Sequence, residues 1–412
     1  MEAAQAQRAI VGGRPLTQRG ALTLLALALV LAMATWFSAS AVIPQLRVQW
    51  DLTTGEAAWL TIAVQLGFVV GALGAAALNL SDVVAPQRVI LAGAVGAAVA
   101  NGLLVLVDSA ALAIPLRLLT GVFLAQVYPP ALKIMSTWYR KGRGTALGIL
   151  IGGLTVGSAL PHLVNGFGGL DWEAVILTTS ALTIAGGLIA VRTPDGPFPF
   201  PAARFDPRQA GRALANRGVR LASLGYFGHM WELYAMWAWF LIFFAAALGQ
   251  TGSLAGSSAA LATFAVIGIG GIGCWVGGIL GDRWGRTNTT SLMMGISGAC
   301  ALGIGLLFSD PTWTVLIVGL IWGFTVIADS AQFSTMVTEL CDQAYVATAL
   351  TLQLALGFTL SVATVWLIPV LEQTFGWQWA FAFLAPGPIL GILAMQRLKR
   401  TPEAAKIAGG RG

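Results

Sequence analysis

The chain has 412 residues, of which 57% are hydrophobic and only 10% charged, with a net charge of +6 and a mean hydropathy of +0.79. A soluble domain carries about a quarter charged residues to wet its surface. The composition therefore excludes an ordinary water-exposed globule and points to a bilayer as the solvent. The basic excess reads as loop charge that orients membrane helices, not as a nucleic-acid footprint.

The first twenty residues hold Arg8, Arg14 and Arg19 ahead of a long apolar run with no small-residue cleavage site. They read as a cytoplasmic tail leading into a first span, not as a removed signal peptide. A spanning helix needs about twenty mostly apolar residues. Twelve segments qualify: 21–43, 56–78, 87–107, 110–132, 144–166, 174–191, 222–246, 258–281, 289–308, 312–335, 345–370 and 377–396. The third and fourth are separated only by the turn-forming Val107-Asp108-Ser109-Ala110.

With the N-terminus inside, every Lys and Arg except Arg47 and Arg117 falls in the tails, in loops on the inner side or, for Arg88, at the inner edge of a span. The expected topology is multi-pass in an inner (cytoplasmic) membrane, with both termini cytoplasmic. The longest polar stretch runs from Arg192 to Arg220. Its prolines predict a semi-rigid extended segment, and Gln209 to Arg220 predicts a short helix on anionic headgroups. The expected organisation is a tail at 1–20, a six-helix bundle at 21–191, a cytoplasmic linker at 192–221, a second bundle at 222–396 and a tail at 397–412.

The halves echo one another. Gly144-Thr145-Ala146-Leu147 in the fifth span recurs as Ala347-Thr348-Ala349-Leu350 in the eleventh. Asp82 after the second span is matched by Asp282 after the eighth, at a similar offset. Repetition near half the chain length indicates a duplicated unit. The fold class expected is an all-α membrane protein of two pseudo-symmetric six-helix bundles.

The loop Gly278-Ile279-Leu280-Gly281-Asp282-Arg283-Trp284-Gly285-Arg286 carries a Gly, an Asp four residues on and a Gly-Arg pair after that. It resembles the loop motif of the major facilitator superfamily, as do Arg117-Leu118-Leu119-Thr120-Gly121 in the fourth span and the Arg-Gly entry to the fifth, Trp138 to Gly148. The resemblance covers the six-plus-six layout of essentially the whole chain. It implies that Gly278, Asp282, Arg283, Gly285 and Arg286 form a gate where the halves meet. The first-half loop keeps Asp82 but lacks the Gly-Arg pair, so the second-half loop is expected to bear more of the gating. Gly148, Gly152, Gly153 and Gly157 read as close-packing positions.

The seventh span is chemically the richest, with His229, Glu232 and Met236 on one helical face. An ionisable residue within a span is a functional candidate by default. Glu232 is the leading proton carrier, with His229 one turn away as a relay. The bland alternative is a neutral Glu232 bonded to a neighbouring helix. Asp329 is a second acid, competing between coupling and a gate. Arg117 is split between coupling or substrate contact and anchoring by snorkelling. The resemblance implies that the first, fourth, seventh and tenth helices line a cavity, to which Trp36, Ser40, Gln65, Tyr128, His162 and Gln353 are added as lining candidates. The tryptophans of the seventh span read as an interface belt or packing ahead of a cradle for an organic group.

Two histidines and the scattered Cys274, Cys300 and Cys341 supply no ligand-like cluster, and no phosphate-loop or His-Glu-x-x-His pattern occurs. Neither enzyme chemistry, a metal nor a cofactor is expected. The expected function is secondary transport of a small organic solute by alternating access, driven by protons, by a monomer in the lipid bilayer. The alternatives are a facilitator or exchanger of a small anion of nitrite, cyanate or carboxylate type, and a non-transporting sensor. The lack of Arg and Lys in the second and eighth spans counts against the anion reading.

Overall fold

The structure, a computed structural model, describes residues 10–11, 14–139, 142–167, 170–198, 205–249, 253–342 and 346–412. The side chain of Asp82, together with Arg140, Lys141 and most of the proline-rich segment, lies outside the described residues. Among the described residues, twelve helices are long and apolar enough to cross a membrane. They are Gln18–Thr35, Thr54–Ala77, Pro86–Leu106, Ala110–Trp138, Arg143–Gly166 and Trp172–Ala190 in the first half. The second half holds Arg217–Ala247, Ser257–Trp284, Arg286–Leu307, Thr312–Leu340, Val346–Phe375 and Trp377–Lys399. An even number of crossings puts the start of the first helix and the finish of the twelfth at one end, called here the terminal end.

Local chemistry sets the helix starts. Thr53 and Glu56 form a reciprocal capping box on the second helix, and Pro86 opens the third. Asn216 caps the seventh by accepting from the Gly218 and Val219 N–H groups. That cap corrects the single helix expected over Gln209–Arg220. The chain instead makes a short helix at Ala210–Ala215, breaks at Asn216 and starts the seventh span at Arg217.

Several expected spans are interrupted, two of them at polar sites. The first ends in a tight turn at Met33–Thr35 and resumes as Ser38–Ala41 and Ile43–Gln49, so it is not one helix to residue 43. The tenth runs on to Leu340 but breaks at Asp329. Both breaks lie beside buried ionisable groups.

With no hydrophobic force between helices in lipid, backbones must approach closely to gain packing energy. Gly67 and Gly71 of the second helix let it lie against the Leu118 and Val122 carbonyls of the fourth. Gly273 and Gly277 of the eighth do the same against Phe324 and Ala328 of the tenth. The register is the same in both halves, which shows the duplication in atomic detail.

The bundles meet along two seams. The fifth and eighth helices pack through Gly148 against the Cys274 carbonyl and Gly152 against that of Gly271. The second and eleventh are joined by Ser361 Oγ donating to Gln65 Oε1 at 2.7 Å and, at the end opposite the termini, by Gln373 Nε2 donating to Thr54 Oγ1 at 3.0 Å.

This packing predicts a position-specific cost. Gly71→Ala puts a methyl into the Val122 backbone, whereas the nearby Gly74 has nothing within 4 Å. Thermal unfolding in detergent should show a loss of about 1–3 kcal/mol for the first and almost none for Gly74→Ala. Equal effects would contradict the close approach.

Candidate functional site: three buried polar networks

In the first half, Arg117 is fully buried. Its Nε donates to the Leu60 carbonyl at 3.3 Å, and one terminal nitrogen donates to the Thr35 carbonyl, Ser38 Oγ and Asn101 Oδ1 at 3.0, 3.1 and 2.8 Å. The other donates to the Trp36 carbonyl. Asn101 passes the network on to Ile176 and Ser180 of the sixth helix. The guanidinium thus takes up the carbonyls freed where the first helix breaks and ties it to the second and third. It does not reach a bundle end, so snorkelling is corrected. Every contact it makes is within its own half.

The repeated register makes a further comparison possible. If Gly67 and Leu118 correspond to Gly273 and Phe324, then Arg117 corresponds to Gly323 and Leu60 to Val266. Where the first half aims a cation at the Leu60 carbonyl, the second sets the bare Gly323 backbone on the Val266 carbonyl. The charge is a departure of one half from the repeat.

The second network centres on the seventh helix. Glu232 is 1% exposed and accepts from Trp322 Nε1 at 2.6 Å and Ser297 Oγ at 2.9 Å. Among the described residues it has no cationic partner. His229, the expected relay, is not among the hydrogen-bond partners of Glu232; its Nδ1 lies 2.9 Å from Asp329 Oδ1. Helical spacing placed His229 and Glu232 on one face, but the tenth helix meets them at two levels, Trp322 and Asp329. The His229–Asp329 pair is buried and stands at the break in the tenth helix.

The third network is the motif seam at the terminal end. Arg286 grips Glu339 with two parallel bonds of 2.9 and 2.8 Å, the strong fork geometry of a charged pair. It also donates to Gln332 Oε1 at 2.7 Å and Asp282 Oδ1 at 3.3 Å. Asp282 crosses to the other bundle, accepting from Thr145 Oγ1 at 3.1 Å beside Gly144. Arg283 is exposed, so Arg286 is the residue that pairs with Asp282. The tail docks here too. Arg411 donates to the Asp282 carbonyl, and the Ala408 N–H donates to Glu339. Gly285, at φ 102°, makes a turn that only glycine adopts readily, with the Arg411 backbone against it. Gly278 packs on Gly144 and Thr145.

Between the bundles sits a cluster of rings. Trp36 lies on Tyr234, Phe68 and Phe358, and Phe37 bridges to Tyr234 and Trp237, all at centroid distances of 4.9–6.3 Å. Trp36 Nε1, Trp237 Nε1 and Gln65 Nε2 are buried without a hydrogen-bond partner, as are both His162 ring nitrogens. Buried polar atoms are nearly always paired, so unpaired ones mark where another group belongs. Trp36 and Gln65 were legible as lining residues; Tyr234, Trp237, Phe358 and Ser361 were missed, because rings in apolar runs look like packing. Ser40 instead bonds Thr61 at 2.7 Å, Gln353 reaches Ser223 at 3.4 Å, Tyr128 is half-buried and Met236 is fully buried. Asn101, Glu339, Gln332, Trp322 and Ser297 also went unseen, since each matters only through a distant partner.

The comparisons with known proteins agree with this architecture. One relative is a yeast protein, "Uncharacterized transporter ESBP6" of Saccharomyces cerevisiae, 24% identical over 189 residues. That match takes in 42% of this chain and spans 27% of the relative's length. The family profile of the Major Facilitator Superfamily matches residues 25–363. The chain belongs to the Major Facilitator Superfamily.

Proposed function

We propose that the protein is a secondary transporter of a small organic solute, coupled to protons through Glu232 and working by alternating access. Membership of the superfamily and the yeast relative's printed name support transport in general. The observation that carries the coupling is the Glu232 carboxyl, buried between two neutral donors with no cation beside it among the described residues. Binding a proton there removes an uncompensated charge from the interior, and releasing it restores that charge. A group of this kind can link protonation to a change in packing of the helices that hold it.

The solute site is the ring cluster between the bundles. Its free donors are the indole N–H groups of Trp36 and Trp237 and the Gln65 amide. Donors within an aromatic cage suit a solute with an apolar body and an oxygen acceptor. The same donors favour the second reading, a carboxylate-type anion facilitator or exchanger. In both readings the Asp282–Thr145 contact closes the terminal end and must part when that end opens.

Replacing Glu232 with Gln should abolish uphill, proton-driven uptake in proteoliposomes while the folded protein is retained. Unchanged accumulation would remove the coupling role. A thermal-shift screen on purified protein should find binders among small organic acids with apolar bodies. Trp237→Phe should then weaken the best binder roughly 2- to 12-fold, the value of one neutral hydrogen bond; stabilisation by organic cations alone would contradict the site. Arg117→Met should lower thermal stability, with about 1.5–3 kcal/mol at stake for each charged hydrogen bond. The proton-to-solute ratio of the protein that folds should stay the same, and a changed ratio would return Arg117 to the coupling machinery.

A further inference from the structure

Away from the central site, a cavity of about 300 Å³ opens at the terminal end between the seventh and twelfth helices. Three exposed arginines line it: Arg217 and Arg220 at the start of the seventh helix and Arg397 in the last turn of the twelfth. None of the three makes an ion pair with a described residue. The nearest acid indicated is Glu403 in the tail, whose carboxyl is held below its usual range first by its own backbone N–H and the Thr401 side chain and only then by Arg217. The helix N-terminus adds little, because Asn216 already takes its Gly218 and Val219 N–H groups.

Below the arginines the surface turns apolar on both helices in step. On the seventh, Leu221, Leu224 and Phe227 line the cavity on the face of Arg217 and Arg220. On the twelfth, Leu393 and Leu390 lie one and two turns from Arg397 on the same face, and are 56% and 63% exposed. Seven residues of helix descend about 10 Å, so the rows pass from cations at headgroup depth to the exposed Leu224 on the seventh helix and Leu390 on the twelfth at acyl-chain depth. Exposed leucine is ordinary on a face that meets lipid. The distinguishing feature is convergence of three cations on one open-sided cavity directly above two such rows.

We propose that this cavity binds the phosphate headgroup of an anionic phospholipid, whose acyl chains lie along the leucine rows of the seventh and twelfth helices. Both helices belong to the half that holds Glu232, and Ser223 connects the cavity wall to Gln353 of the eleventh helix. A lipid held here braces the outer side of that half.

The test uses delipidated full-length protein and three additions: dioleoyl phosphatidylglycerol, dioleoyl phosphatidylcholine and inorganic phosphate. Native mass spectrometry should show phosphatidylglycerol retained, and its addition should raise the melting temperature more than either other probe. Arg217→Gln, Arg220→Gln and Arg397→Gln should each weaken retention about fivefold, the factor expected for one cation at an anionic surface. Arg212→Gln, an exposed arginine on the short helix outside the cavity, should leave it unchanged. Should a seventh-helix variant fail to fold, Arg397→Gln and Arg212→Gln give the same comparison. Equal retention of phosphatidylcholine, equal stabilisation by inorganic phosphate, or indifference of the retained lipid to Arg397→Gln would overturn the proposal.

Discussion

A polar atom within a bilayer must find its partner inside the protein, because hydrocarbon offers none. The rest of this structure depends on how the chain meets that demand. Most backbone groups are satisfied within helices, and the glycines on facing helices let these rods pack at backbone distance. Several helices break within their spans, among them the first and the tenth. Each of these two lies beside a buried ionisable group: Arg117 bonded to the Thr35 and Trp36 carbonyls in one half, Asp329 beside His229 in the other. At these two breaks helix geometry and buried charge meet, once in each bundle.

The two solutions differ although the bundles are repeats. Arg117 stands where the second half has Gly323. Glu232 likewise has an apolar counterpart: Gly186 packs on Ala28 as Gly387 packs on Gly228, which places Ala32 opposite Glu232. The first bundle carries a cation whose hydrogen bonds all go to carbonyls and neutral side chains of its own half. The second carries an acid held by two neutral donors. In the proposed function, the first half serves as a fixed frame while the second carries the titrating group. The seam motif joins the halves, with Arg286 holding Glu339 and Gln332 while Asp282 reaches across to Thr145.

Much of this architecture was legible in the sequence. Hydropathy gave twelve spans, and the recurrence of the Gly144 to Leu147 and Asp282 signals gave the duplication. The breaks were not legible, since Met33–Thr35 lies in an apolar run and the Thr35 carbonyl finds its donors in Ser38 and the distant Arg117. The candidate site was legible as a set of charges and illegible as a set of pairs. Helical spacing put His229 beside Glu232, but a neighbouring helix contributes its own levels, and Asp329 and Trp322 divide the two. Rings such as Trp237 read as belt or filler until their unpaired N–H groups are seen facing inward from a ring cluster. Local signals survive translation into structure; partners brought from far along the chain do not announce themselves.

The central claim is that the exchangeable proton resides on the one buried acid held by neutral donors. Infrared difference spectroscopy of the purified protein across pH reads it directly, through the carboxyl stretch of a protonated acid in an apolar setting. The account predicts a band that appears on acidification and is missing from the Glu232→Gln protein. The same band at full intensity in that variant would contradict it.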